Sequence, residues 1–481
     1  SIISLFCIYC LLTYSSNCTI TVGNSVDFNA TGGTITCTGT GIIETKSQPT
    51  VLGTFTCGTG TVKYFKNGAQ DISFTDPANN STYHNLVIDG AAGAKSAQGT
   101  LTVGGDLTID NSILNMVSHP FDIAGNFIMS GGAGTFTSGS SDSHDVAGNW
   151  DDSGGTFQAT DGTITLSGGA ANITTGNGNK FFALTIAGTA TTSTAEDVEV
   201  SDALTVSNGG ILNVAAGDRL VLSSTSASTV ANGGRLNVIA TVGGAAANNA
   251  TILASGTGLI TVDGILNLNG AGDGGANLTG RAILEGGGAN TLNLIFPSGS
   301  NTGQFIGDIF SIVNPVSTGF AIASDAAHTM VNGHFTGCVS TGTLLNLSSA
   351  STLPDFIDSC SFNGVDLTDK NVTANADTDP VTFTNYGGTL AETADVSDAE
   401  KAERNDVDNG DPGDKLFWFD GKWYSEINQS RNPNDLNRWH SQRTRSGINP
   451  ANFNNPADHF VVQTSNSCLL YTSPSPRDRF L

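Results

Sequence analysis

Basic side chains are scarce in this chain: 19 Lys and Arg stand against 43 Asp and Glu in 481 residues, a formal net charge of −24. Such a chain has no cationic footprint for a phosphate backbone, so nucleic acid is excluded as a partner. Charge of either sign is thin at 13%, and aromatics reach only 7%. The composition is too poor in helix-forming and charged residues for an ordinary enzyme. Seven His lie at 84, 119, 144, 328, 334, 440 and 459 without ligand spacing, and they indicate neither a metal centre nor a Ser-His-Asp arrangement. The long apolar run IISLFCIYCLLTY at 2–14 is too short to cross a bilayer as a helix. Followed by Ser-Ser-Asn, it reads as a secretory signal peptide over residues 1–17, truncated at its start because no Met and no basic stretch precede it. A secreted or cell-surface location is expected, with no membrane insertion after signal removal. Of eight Cys, Cys7 and Cys10 leave with that segment and Cys468 with the far end. Among the remaining Cys18, Cys37, Cys57, Cys338 and Cys360 there is no CxxC pair, so a zinc or redox site has no support.

What is abundant is glycine, 60 residues of it, with Thr, Ser, Asn and Ala, while 38% hydrophobic residues is too many for a disordered chain. Small and β-branched residues in short runs, punctuated by Gly and Asn, suit stacked strands and tight turns. One phrase keeps returning: GGILNV at 209–214, GGRLNV at 233–238, DGILNL at 263–268 and NTLNL at 290–294. The steps from Asn213 to Asn237, Asn267 and Asn293 match the period of a solenoid coil. Alternation puts Leu212 and Val214, Leu236 and Val238, Leu266 and Leu268, and Leu292 and Leu294 on one strand face, with Asn on the other. Arg235 stands where Ile211 and Ile265 stand, so the second face meets solvent. Other phrases, TLTVGG at 100–105, TITLSG at 163–168, ALTIAG at 183–188 and ALTVSN at 203–208, give an inward apolar pair around an outward Thr.

A longer repeat lies above these. GTFTCGTGTVKYF at 53–65 recurs as GTFQATDGTITLS at 155–167, YHNLVIDG at 83–90 as FFALTIAG at 181–188, and SILN at 112–115 as GILN at 210–213. The simplest account is a unit of about 100 residues built from several coils. AGNF at 124–127 and AGNW at 147–150 are shorter echoes. The pattern GNW…GGTF…DGTITLSG…FFALTIAG…ALTVSNGGILNV resembles the repetitive β-helical modules of large secreted bacterial surface proteins of the adhesin-like kind, over residues 50–295. That resemblance implies export, surface display and attachment to cell-surface or matrix glycans and proteins, and it implies no enzyme. The fold class expected is all-β: a parallel β-helix, right-handed by the habit of the fold, with a small Trp-rich C-terminal segment.

Five segments follow the signal. Residues 18–300 form the repetitive β-solenoid, and 301–390 continue it in coils of 21–22 residues, judged from Cys338 to Cys360 and from Phe362 to Phe383. The two cysteines read as stacked core thiols or a disulfide. Residues 391–415 are an acidic linker. Calcium is the one ion with any support there, at Asp406, Asp408 and Asp411, but Gly410 comes a place too early for an EF-hand and no bidentate Glu follows. Residues 416–467, with Trp418, Trp423 and Trp439, resemble the opening of a further surface module. These Trp are candidate glycan contacts, since indoles stack on sugar rings; the plainer alternative is that they cap the next coil. Residues 468–478, CLLYTSPSPRD, match one translated frame of a widely used transposase sequencing adapter, so 468–481 read as an adapter-derived scar.

Catalytic and cofactor residues are not indicated. The rival reading is a carbohydrate-active β-helix, a polysaccharide lyase or hydrolase or a glycan binder. Hydrolysis on this scaffold needs paired carboxylates a few ångströms apart. The pairs on offer are Asp151–Asp152 and the set Asp355, Asp358, Asp366 and Asp369, with His334 nearby in sequence. A single GAGDGG at 270–275 does not make the shared half-sites of a calcium-binding β-roll.

Overall fold

The computed structural model describes residues 34–46, 54–72, 82–242 (short breaks at 92, 117–118, 133, 138–142, 158, 160 and 194–195), 248–337 (breaks at 272–279, 289–290 and 299–301), 342–347, 356–363, and isolated strands on either side of these. No α-helix occurs among them. The chain divides into two compact units, residues 1–236 and 237–481.

In the first unit each coil contributes one strand to each of three parallel sheets. The first sheet runs from Thr19–Val22 through Thr61–Tyr64, Leu107–Asp110 and Trp150–Asp151 to Ile211–Val214. The second holds Gln70–Ile72 through Gly155–Phe157 and resumes at Lys180–Phe181. The third runs from Thr82–Tyr83 to Ser228–Val230. Each strand's hydrogen-bond partner is the same segment one coil later, as when Leu107 pairs with Phe127 and Phe127 with Trp150. The winding itself supplies the crossover that parallel strands need. Alternation decides what goes inside: Leu101, Val103, Leu107, Ile109, Leu204 and Val206 are all buried, while Thr102 and Thr205 between them are half-exposed.

Because equivalent positions stack, large side chains form columns. Phe127 lies on Trp150 with centroids 4.1 Å apart and planes 10° from parallel, and Phe136 lies on Phe157 at 5.4 Å. The AGNF and AGNW echoes are therefore one coil apart. Their Gly and Asn are corner residues. A Cβ on Gly125 would lie 2.5 Å from the Gly105 carbonyl carbon, and one on Gly148 would overlap the Gly125 carbonyl. No larger residue fits that corner. The Asn beside them tie successive coils: Asp106 N–H donates to Asn85 Oδ1, Asn126 N–H to Asp106 Oδ1, Asn149 N–H to Asn126 Oδ1 and Asn172 N–H to Asn149 Oδ1, all at 2.8–3.0 Å. Thr191 and Asn213 continue that file, with Asn213 Nδ2 donating to Thr191 Oγ1 at 3.1 Å.

The 100-residue unit does not survive as a geometric repeat. Thr61–Tyr64 lies in the first sheet and Thr163–Leu166 in the third. Asn85–Ile88 and Ala183–Ile186 are split the same way, and Ile113–Asn115 lies in the second sheet while Ile211–Val214 lies in the first. The first and third sheets share apolar–Thr–apolar wording, and the first and second share ILN, so a sequence echo carries no mark of which sheet it belongs to. The coil is the repeating object.

The second unit is built the same way. Its three parallel sheets are represented by Ile265–Asn269, Gln304–Asp308 and Thr329–Val331; by Ala282–Gly286, Phe310–Val313, His334–Thr336 and Ser361–Asn363; and by Ile260–Val262, Leu294–Phe296 and Phe320–Ile322. NTLNL at 290–294 is not a further copy of the ILNL strand: Ile265 pairs with Gln304, whereas Leu294 pairs with Ile260 in a different sheet. A long connection between Asn269 and Ala282 stretches that coil and hides its register. Likewise Phe362 stacks on Phe335 at 5.1 Å, with planes 6° from parallel, and Phe383 belongs to another sheet. One corner is marked by left-handed residues on successive coils, Gly280, Ile309, Asn332 and Ser359.

Coil pairing continues past residue 390, through Val407–Asp408 on Lys370–Ala374 and Leu416–Phe419 on Val381–Thr384. Lys422–Ser425, Trp439–His440, His459–Gln463 and Cys468–Tyr471 form a separate mixed sheet. At the other end Leu12–Ser15 pairs with Thr34–Thr38. The segments read as a signal and as an adapter scar each contribute a strand.

Candidate functional site

A regular file of outward polar residues runs along the third sheet of the first unit. Register pairs Thr82 with Thr102, then Asp122, Asp145, Thr165, Thr185, Thr205 and Thr229, each 20 to 24 residues after the last. Every described member from Thr102 onward is half-exposed or exposed, because each is the middle residue of a strand whose two neighbours are buried. Strand spacing puts a hydroxyl or carboxylate about every 4.8 Å along one line. Unequal coil lengths do not disturb it, since the differences are absorbed at corners and backbone pairing fixes the register. Asp122 and Asp145 interrupt the Thr run side by side, and Asp145 Oδ2 accepts the Ser167 hydroxyl at 2.8 Å. Reading the sequence missed these two, because a single Asp in FDI or HDV resembles a turn carboxylate. The alternation around them was the available signal.

Asn does not share this availability. The Asn of the ILN and GNW phrases belong to the hydrogen-bonded file between coils, and in the second unit Asn267 Nδ2 donates to Asn237 Oδ1 at 3.3 Å. Their amides are spent on the ladder, so the polar groups left facing water along the third sheet are Thr and Asp.

The carboxylates nominated for catalysis are dispersed. Asp151 and Asp152 point to opposite sides of the chain. Asp151 is half-exposed and accepts both the backbone N–H and the hydroxyl of Ser153, at 3.1 and 2.6 Å. Asp152 is fully buried and accepts Trp150 Nε1–H at 2.9 Å, Gly176 N–H at 2.8 Å and Asn179 Nδ2 at 3.0 Å. Burial pushes its carboxyl above the usual range, and those three donors pull it back without cancelling the effect. Asn179 donates also to the Asp152 and Gly155 carbonyls and accepts Phe157 N–H at 2.9 Å. Its amide thus stands in for a strand where the second sheet breaks between Gly155–Phe157 and Lys180–Phe181. The network is a structural patch.

Asp358 accepts the Thr384 hydroxyl at 2.7 Å and the Ser359 hydroxyl at 3.0 Å; Asp355, Asp366 and Asp369 lie outside the described residues. His334 Nδ1 lies 2.6 Å from Ser361 Oγ on the next coil. Burial and then the Arg281 guanidinium hold that imidazole below its usual range. This distance suits a nucleophile and base, and the Asn363 amide also lies beside the ring, its Nδ2 3.5 Å from each ring nitrogen. His144 and His328 are core residues, each accepting a backbone N–H, from Phe121 at 3.2 Å and from Phe305 at 3.0 Å.

Cys360 is a buried thiol with its pKa pushed up to about 12. Gly333 on the preceding coil is in register with it: a Cβ on Gly333 would lie 2.9 Å from Cys360 Sγ. Cys338 lies outside the described residues. Among the described residues no group of three His, Cys, Asp or Glu is placed to hold a metal. Asp406, Asp411 and most of GAGDGG at 270–275 fall outside them. Trp418 lies in the coil strand Leu416–Phe419 in register with Phe383. Trp423 and Trp439 lie in the separate mixed sheet, in register with Phe460 and Ser425. The three Trp are thus divided between two sheets. Comparison of the chain with protein-family models, with curated proteins and with solved structures finds no match.

Proposed function

We propose that the chain is a non-catalytic, exported β-solenoid that acts as a stalk or adhesin-like surface element, making many weak contacts to glycans or proteins of a cell surface or matrix. The observation that carries this reading is the in-register file from Thr82 to Thr229, a row of repeated polar groups held by backbone pairing. Individually weak contacts at fixed spacing gain strength together, because each engaged contact raises the effective concentration of the next. Export is supported by the apolar run at 2–14, and an acidic surface suits solubility outside the cell. The catalytic alternative has less support, since Asp152 and Asp358 are engaged by donors of the fold itself.

The test is a glycan and matrix array probed with the intact chain and with a Thr185→Lys, Thr205→Lys double variant, alongside a reducing-end release assay on the same sugars. Binding by the parent, at least tenfold weaker binding by the variant and no release are expected. Equal binding by the two proteins would sink the file as the contact surface. New reducing ends would restore the enzyme reading.

A further inference from the structure

A second feature of the first unit lies away from the file, at the corner between the first and second sheets. Five successive coils leave a groove of about 600 Å³ there, within the range of small-ligand sites. Phe65 is half-exposed on one wall, with Lys46 Nζ 4.6 Å over its ring. Ile113, 37% exposed, is a further apolar surface in the groove. Gly90, in a left-handed conformation, gives a stretch of bare backbone. Asn67 contributes an exposed amide.

Ser112 decides what the groove can take. It is only 3% exposed, lines the groove, and its Oγ has no hydrogen-bond partner. Its backbone is fixed, since the Ser112 carbonyl accepts Thr135 N–H at 2.8 Å, so the hydroxyl cannot be carried out to water. A buried hydroxyl left unpaired costs stability, which a ligand hydroxyl would recover. The two charged side chains of the groove each have a partner within the protein: Lys46 Nζ lies over the Phe65 ring, and Asp89 is paired with Lys63 at 2.7 Å and accepts Gly90 N–H at 2.5 Å. A ligand matching these walls is uncharged, carries several hydroxyls and offers an apolar C–H face to a ring.

We propose that this groove binds a neutral pyranose unit of a glycan, with the sugar packed against Phe65 and one of its hydroxyls bonded to Ser112 Oγ. The proposal rests on the surface-contact reading for its ligand class but on a different set of residues. Titration calorimetry of the full chain with neutral glucose-, mannose- and galactose-based trisaccharides tests it. Binding to one of them is expected, weakened roughly tenfold in Phe65→Ala as a stacked ring is lost. Ser112→Ala and Asn67→Ala are each expected to weaken it several-fold; Asn67 is exposed, so that change leaves the fold intact. The Thr185→Lys, Thr205→Lys variant should bind trisaccharide as the parent does. No binding to any trisaccharide, or binding unchanged in Phe65→Ala and Ser112→Ala, overturns the groove. Loss of array binding only in the Thr→Lys variant would then still support the file.

Discussion

Asp152→Ala tests how the first unit bridges the gap in its second sheet. The substitution removes the acceptor of three buried donors, Trp150 Nε1–H, Gly176 N–H and Asn179 Nδ2, held at 2.8–3.0 Å. Asn179 Nδ2 keeps the Asp152 and Gly155 carbonyls, so Trp150 Nε1–H and Gly176 N–H are the donors that lose their partner; each costs on the order of 1–3 kcal/mol, offset in part because a desolvated carboxylate is removed with it. A net loss of about 3 kcal/mol is expected, on the order of a hundredfold in local opening. Asp152→Asn should cost less, about 1 kcal/mol, since one of its two terminal atoms becomes a donor facing another donor. Hydrogen exchange reads the effect locally. Peptides covering 150–157 and 174–181 should exchange faster in Asp152→Ala, while a peptide from the second unit, such as 304–313, should not change. The raised carboxyl also fixes the direction with pH. Native Asp152 holds its proton more tightly than the unfolded residue, which titrates near ~3.9. Its contribution is therefore full below that value and is lost as pH rises through the folded one, a slope that Asp152→Asn should remove. Unchanged exchange at 174–181 in Asp152→Ala would refute the idea that this carboxyl and Asn179 together close the break.

Three further substitutions separate general effects from specific ones. His144 is buried between Phe121 and Phe136 with its pKa lowered to about 4 by burial, so the unfolded chain binds the proton more readily. Stability should fall as pH drops from about 6.5 to about 4, by roughly 3 kcal/mol from this residue, and denaturant midpoints across that range should be flatter in His144→Phe. Gly168 and Gly169 are adjacent in sequence but differ in surroundings: a Cβ on Gly168 would overlap the Ala147 carbonyl, and one on Gly169 meets nothing within 4 Å. Gly168→Ala should destabilise by more than about 2 kcal/mol and Gly169→Ala should be neutral or stabilising by about 0.5 kcal/mol. Equal melting temperatures for the pair would contradict the close coil contact at that corner.

Which side chains face inward was legible from period two alone, and Leu212, Val214, Leu266 and Leu268 are all buried as their spacing requires. Which sheet a phrase joins was not. A coil of three similar strands offers three equivalent places for one phrase, and only the corner lengths tell them apart. Those lengths vary, so NTLNL and the echoes about 100 residues apart look like copies of one strand while lying in different sheets. The Thr and Asp file was half legible: the outward Thr is written in every LTV phrase, but that successive Thr align depends on pairing that no local pattern encodes. Nor does any motif announce the groove, because Phe65, Gly90 and Ser112 come from three separate coils and meet only once the chain is wound.

Outward positions in the first unit are divided between two tasks by their distance from a corner. Next to a corner the backbone turns, and a short side-chain carbonyl can reach the N–H of the coil beside it. Asn85, Asp106, Asn126 and Asn149 do this, which is why an amide or carboxyl recurs there beside a small residue. At mid-strand the backbone N–H groups are already paired between strands, so a polar side chain has no such work and faces water. Thr165, Thr185 and Thr205 occupy those positions, where a β-branched residue favours the extended backbone whatever its hydroxyl does. Stability can thus be held at the corners while the mid-strand row varies, and Asp122 and Asp145 are tolerated side by side because they stand in solvent. A scaffold arranged in this way can change what it touches without changing how it winds.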